Sequence, residues 1–542
     1  MGWRQLFLVI AAIALLAHGT SSQAVDAQTP PIDFGDLEAL SFAEPTASEK
    51  QRNQMDVMVI VGTVTATTAR VIYEPLVNDE SSITLSLILH KGPRTNDVVV
   101  KTLTHLQYQS FPYAAAFDTL VPNSTYFVHV QVGTSPSPTY VAVARFRTPP
   151  LDISNDKLVV LALSCDRFLD DADDSHWATL AEEVRDPAYY GTVHTGDQIY
   201  ADSLEVSFRR AANFDATLHA YRGLYRRAFG RPLAQRVLRH GAHYMQVDDH
   251  DIVSNWSGDT WYSHHVMMRA GLQAYFEYQY QLLSDWTNVP PCQSGPKEEL
   301  YRTVYHHVTL GDHQLQLVFA DTRFERGLTL STNQLVSSSQ LSFLNSTWAE
   351  NASMRVLFTS VPLFFHTAMS AAIAHFVDGE LYPGHAYFTS TVQAIWSQLP
   401  AKTLLLVAGD LHMAQRATVC DASAKCVPQL IASGITQHST AMEDRRLLVF
   451  FYAITQWLQP LACLWGQESV CIRSASAHYG QNYAKLTWDH GQWKSEVVTK
   501  EYDLVTETIL QGLVTWGLDT RTLVSVGVIM LLRWSGMLSW WI

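Results

Sequence analysis

Five short apolar runs in this chain each end in residues that bind metal ions or phosphate, and no other feature restricts its fold as much. Leu158–Leu163 runs into Ser164-Cys165-Asp166-Arg167, and Thr192–His194 into Gly196-Asp197-Gln198-Ile199-Tyr200-Ala201-Asp202. His243–Val247 runs into Asp248-Asp249-His250-Asp251, with Asn255 close behind. Leu315–Ala320 meets Asp321-Thr322-Arg323, and Thr403–Val407 meets Gly409-Asp410-Leu411-His412. In open α/β sheets, sites form outside the carboxyl ends of the strands, where such loops converge. One Asp after a strand is often a helix cap or turn former. Five such endings within one stretch of chain point instead to a shared site. Adjacent carboxylates such as Asp248 and Asp249 repel one another unless a cation shares them.

These strands alternate with helical stretches at His176–Val184, Glu205–Phe229, Trp261–Tyr280 and Ser339–Trp348, the pattern of an α/β domain. Further strands are expected at Arg355–Thr359 and Gln429–Ala432, and a hairpin around Asp489-His490-Gly491. Before this domain the pattern is different. Val57–Val64, Ala69–Tyr73, Ile83–Leu89, Asp97–Thr102, Tyr113–Leu120, Thr125–Val132 and Val141–Phe146 alternate like strands between turn residues, which predicts an antiparallel β-sandwich. Leu120 to Tyr126 is similar to the fibronectin type III corner, where a Tyr hydroxyl bonds back to the chain. The expected division is a signal peptide (1–24), a linker (25–50), a fibronectin type III or Ig-like sandwich (51–150), a catalytic domain (151–505) and an apolar tail (506–542).

Ligand type narrows the chemistry. Carboxylate and carboxamide oxygens suit hard cations such as calcium or magnesium, whereas a thiolate and an imidazole suit iron or zinc. Cys165 reads as a ligand or as a buried apolar thiol, and Tyr200 as a phenolate ligand or as a core tyrosine. The formal net charge of −14, with 51 acidic against 37 basic residues, argues against nucleic acid as a partner.

Taken in order, the five motifs resemble those of the PhoD-like alkaline phosphatases, a branch of the calcineurin-like metallophosphoesterases. The resemblance spans about residues 50 to 500. It implies a two-sheet metallophosphoesterase sandwich flanked by helices, acting on a small phosphomonoester or phosphodiester at iron and calcium ions. It assigns Cys165, Asp197, Tyr200 and Asp249 to the iron and its neighbours, and Asp410, His412 and Asn255 to the calcium side. The chain departs from the bacterial pattern in lacking a twin-arginine signal, in having Asp251 where the family often shows Glu, and in placing Asp166-Arg167 directly after the cysteine. Bound metal lowers the pKa of water to roughly 7, which supplies hydroxide for in-line attack. His250 is the expected general acid, or else a structural or metal-ligating histidine; Arg167 and Arg323 are expected either to clamp phosphate or to pair with a nearby Asp.

Arg4, the apolar run Leu6–Ala17 and the small residues after it read as a secretory signal. Six cysteines fit an oxidising compartment, with Cys420 close to Cys426 and Cys463 close to Cys471. Asn123, Asn345 and Asn351 head glycosylation sequons. Leu523–Ile542 leaves membrane or lipid attachment open, although Arg533 costs about 2.5–3.5 kcal/mol in mid-span. Leu447–Trp465 reads as a buried helix. The rival reading is an extracellular binding or adhesion protein carrying an inactive phosphatase-like domain.

Overall fold

The alternating apolar residues near the start of the chain sort into two antiparallel sheets. One has the order β1-β2-β5 (β1 Val57–Val64, β2 Ala69–Pro75, β5 Tyr113–Phe117), and the other β4-β3-β6-β7 (β3 Ile83–Leu89, β4 Val98–His105, β6 Thr125–Val132, β7 Tyr140–Arg147). The computed structural model describes residues 36–77, 82–90, 98–105, 109–133, 140–169, 174–202, 204, 213–258, 265–284, 303–329, 332–400, 403–437 and 470–499. The expected signal, the tail, Cys292, Cys463 and the run 447–465 lie outside them, as do the starts of two expected helices. Part of the expected linker is helical: α1 (Leu37–Ser41) packs Leu37 on Ile88, Phe127 and Val143, and α2 (Ala47–Arg52) begins with a Thr46–Glu49 capping box. The Tyr126 hydroxyl accepts the Val121 N–H at 2.8 Å, as the corner motif predicts.

β1 is buried on both faces, which strict alternation does not predict. Val57, Val59 and Val61 pack into a core shared with residues of β2, β3 and β6, while Met58 and Ile60 join a second core with Leu161, Tyr221 and Leu224. The Val59 N–H donates to Gln235, and Arg239 donates to the Val57 carbonyl. Residues beyond 150 thus cover the outer face of this strand.

The later strands form two larger sheets. One has the order β10-β9-β8-β20-β21 (β8 Lys157–Leu163, β9 Tyr189–His194, β10 Ala242–Met245, β20 Asn482–Asp489, β21 Gln492–Thr499), with β8, β9 and β10 parallel. The other has the order β11-β12-β15-β16-β18-β17-β19 (β11 His306–Leu310, β12 Leu315–Phe319, β15 Met354–Thr359, β16 Leu404–Ala408, β17 Ala414–Asp421, β18 Cys426–Ala432, β19 Val470–His478). Its parallel centre is β12-β15-β16-β18. A small hairpin, β13 (Gly327–Thr329) with β14 (Thr332–Gln334), stands apart.

Val160, Ala162, Val193, Leu317, Val356 and Val407 belong to the core between the two large sheets. Their outer faces carry helices, so the fold is mixed α/β. Leu161 and Leu163 pack with α3 (Ser175–Glu183), α4 (Phe214–Phe229), α5 (Pro232–Leu238) and α6 (His265–Tyr278). Val318, Leu357 and Leu406 pack with α7 (Ser338–Ala349) and α9 (Thr389–Gln398). The helix α8 (Ala368–Asp378) comes after the loop that leaves β15. A disulfide joins Cys420 to Cys426 across β17 and β18; Cys471 is also disulfide-bonded, its partner lying outside the described residues. The β20–β21 hairpin turns on His490 and Gly491, both with positive φ, as expected.

Candidate active site

The parallel strands place their carboxyl ends side by side, and all five motifs meet there. Cys165 Sγ lies 3.5 Å from Asp197 Oδ2 and 3.0 Å from Ser433 Oγ after β18. The Tyr200 hydroxyl is 3.3 Å from Asp197 Oδ2 and 2.9 Å from His412 Nε2. Ligand atoms of Cys165, Asp197 and His412 lie within 4.8 Å of one another, as do those of Asp197, Asp249 and His250, and those of Asp248, Asp249 and Asp410. His412, expected on the calcium side, therefore stands with the thiol. Asn255 gives its backbone N–H to Asp249 Oδ2 at 2.6 Å, which sets it against that carboxylate.

Strained backbone makes this convergence. Cys165, Asp197, Asn255, Asp410 and His412 have φ of 62°, 57°, 58°, 71° and 54°, a left-handed region that costs non-glycine residues energy and concentrates at functional sites. Gly196 has φ 110°, and a Cβ there would stand 2.4 Å from Asp248 Cβ, so only glycine lets the two loops touch. Asp251 is a buried staple. Its carboxylate accepts the N–H groups of Asp197 (3.1 Å), Gln198 (2.9 Å), Ile199 (3.3 Å) and Asp248 (3.0 Å).

The electrostatics call for positive charge. Burial, with Asp197 beside it, pushes the Cys165 thiol up, and burial with Cys165 and Asp197 does the same to the Tyr200 phenol. Burial and the neighbouring carboxylates Asp248 and Asp249 raise Asp197. Buried Asp197 Oδ1, Asp248 Oδ2 and Asp410 Oδ2 find no hydrogen-bond partner among the described residues. A thiol, a phenol, an imidazole and orphaned carboxylate oxygens form a donor set that suits cations.

One cation is already part of the chain. Arg323, expected either to clamp phosphate or to pair with a nearby Asp, does the second: it is fully buried and bound to protein carboxylates, Nε to Asp248 Oδ1, Nη2 to Asp249 Oδ1 (3.0 Å) and Asp410 Oδ1 (3.2 Å), and Nη1 to Glu380 (3.0 and 3.2 Å). It is the charge shared by the adjacent pair Asp248 and Asp249. Arg167, the other expected clamp, lies 5.7 Å over the Tyr200 ring, which also stacks on the His250 ring at 4.4 Å.

His250 is held from behind by Asp202, both oxygens lying 2.9 Å from Nδ1. Burial would lower the imidazole pKa, but Asp249, Asp197 and Asp202 outweigh it and raise it well above the usual value. Asp202 was visible at the end of the Asp197 motif, but nothing in its spacing marked it as the partner of His250. The sequence reading missed Glu380, which no local pattern connects to Arg323.

A family model described as PhoD-like phosphatase matches residues 158–446, more than half of the chain. The chain belongs to the PhoD-like phosphatase family. It is accordingly a phosphoric ester hydrolase. The solved structure of PhoD is similar in fold, at 14% identity over 82% of this chain and 88% of that one, with a TM-score of 0.58. The third fibronectin III domain of the human KIAA0343 protein covers 23% of this chain and 94% of its own at 18% identity, but its TM-score of 0.14 carries no argument. No curated protein matches the chain.

Proposed function

We propose that this PhoD-like phosphatase hydrolyses small phosphate monoesters or diesters with the help of two or more cations. The supporting observation is the convergence of Cys165, Asp197, Asp249, Asp410 and His412, with buried carboxylate oxygens of Asp197 and Asp410 left unpartnered among the described residues. The residues fit iron toward Cys165, Asp197, Tyr200 and His412, where soft and phenolic donors gather. They fit calcium toward Asp249 and Asp410, with Asn255 nearby, where the donors are oxygens. Such cations supply Lewis acidity toward the phosphoryl oxygens and make water more acidic.

The chain's own residues do the rest. Asp202 fixes Nδ1 of His250, which leaves Nε2 as the atom that delivers a proton to the departing alkoxide. Arg167 stands at the ring stack, where its guanidinium takes the non-bridging oxygens of the ester. Residues 51–150 are proposed to be a fibronectin type III-like support, and residues 151–505 the catalytic domain. Secretion by the N-terminal signal, glycosylation at the exposed Asn123, Asn345 and Asn351, and attachment through the tail remain parts of this reading. No helix among the described residues is long and apolar enough to cross a membrane.

The test combines chelation with Asp197→Asn. Chelator is expected to abolish hydrolysis of p-nitrophenyl phosphate and of a bis-ester, calcium with iron to restore it, and Asp197→Asn to remove nearly all turnover in a folded protein. Chelator-resistant activity, or wild-type turnover in the variant, overturns the proposal.

A further inference from the structure

A substrate clamp must present free donors to the ligand, and Arg323 has none to spare. Its side chain is wholly buried, and each of its three nitrogens donates to protein acceptors, Nη1 reaching Trp256 O as well as Glu380. The acceptors share a pattern. Asp248, Asp249 and Asp410 each accept from the guanidinium at Oδ1. The second oxygens of Asp248 and Asp410 are left for something else. Asp248 Oδ2 and Asp410 Oδ2 lack partners among the described residues, and Asp249 Oδ2 accepts the Asn255 N–H. Ligand oxygens of the same three carboxylates lie within 4.8 Å of one another.

Behind Arg323 stands a second layer. Glu380 accepts Nη1 of Arg323 through both oxygens and Nη1 of Arg326 at 2.8 Å, while Arg326 Nε donates to Thr322 O at 3.0 Å. Glu380 reaches this position because α8 ends at Gly379, with φ 89°, beside the Asn255 carboxamide.

We infer that Arg323 is a positioning residue, a built-in cation that holds one oxygen of Asp248, Asp249 and Asp410 so that their other oxygens converge on a divalent cation, and that Glu380 aims it. The fork geometry matters as well as the charge, because a single ammonium cannot serve three carboxylates and Glu380 at fixed angles. This rests on the cation-binding reading above.

The test titrates calcium alone into the chelator-stripped full chain by calorimetry, for wild type, Glu380→Gln and Arg323→Lys. Inorganic phosphate inhibition of the reloaded enzymes is measured alongside. Calcium affinity is expected to fall about tenfold or more in both variants, the effect typical of groups that orient metal ligands. With calcium saturating, the phosphate inhibition constant is expected to stay within about twofold, since the proposed phosphate contacts are the bound cations and Arg167, not Arg323. Unchanged calcium affinity in folded Glu380→Gln overturns the inference, as does a large rise in the phosphate constant at unchanged calcium affinity. A wild-type chain that takes up no calcium instead defeats the cation-site reading itself. Should the variants not fold, the phosphate complex of the wild type decides: phosphate oxygen bonded to Arg323 overturns the inference, and an Arg323 still bonded to its carboxylates supports it.

Discussion

Replacing Asp202 with Asn tests the proton-delivering role of His250 through a residue that never touches the substrate. Asp202 holds Nδ1 through two oxygens at 2.9 Å, so the substitution removes a charge-assisted hydrogen bond but keeps the side chain's size. Such a bond is worth roughly 1.5–3 kcal/mol. The Asp202 side chain is 37% exposed, and solvent screening places the effect near the lower end. About 1.5 kcal/mol in the barrier is about a tenfold fall in kcat. That loss belongs to an alkyl phosphate, whose alkoxide cannot leave unprotonated. For p-nitrophenyl phosphate, whose phenolate leaves without a proton, it is expected to shrink to about twofold or less. The assay is kcat for both esters in wild type and Asp202→Asn at the same metal loading. An equal fall on both substrates would mean a general structural role, and no fall on the alkyl ester would remove His250 as the acid.

Gly196→Ala places a Cβ 2.4 Å from Asp248 Cβ at φ 110°, and strain plus overpacking is expected to cost about 2–6 kcal/mol; denaturant melts would show a sharply lowered midpoint, and an unchanged midpoint contradicts the loop contact. Burial holds His243 at about 4, below the roughly 6.5 of an unfolded histidine, so the folded chain keeps it neutral while the unfolded chain takes a proton. The stability this contributes is complete above about pH 6.5 and is lost as pH falls toward 4, on the order of 3 kcal/mol. The slope of melting temperature against pH in that window is therefore expected to be shallower in His243→Gln, and an equal slope contradicts it.

The strand ends were legible because each carries its chemistry in consecutive residues. A buried apolar run that gives way at once to Gly196-Asp197 or Gly409-Asp410 records both the strand and the loop that leaves it. β3 and β6 begin and end where alternation predicts, since one face of each meets the core shared with β1 and β2. β1 was only half legible: its second buried face depends on helices more than a hundred residues away. Arg323 could be seen in the sequence but not its duty, because a guanidinium after a strand reads the same whether it faces solvent, phosphate or four carboxylates. Asp202 was likewise visible without its duty, and Glu380 was silent. Their roles come from long-range packing, which places Glu380 against Arg323 through the end of α8 and Asp202 behind His250.

Anomalous diffraction from crystals of the metal-loaded protein, collected at the iron edge and at long wavelength for calcium, addresses the central claim most directly. Two neighbouring peaks are expected, one bounded by Cys165, Asp197, Tyr200 and His412, and one within about 2.3–2.6 Å of Asp249 and Asp410 oxygens. Metal-loaded crystals without density among these residues, or with the ions bound at another face of the protein, would contradict it.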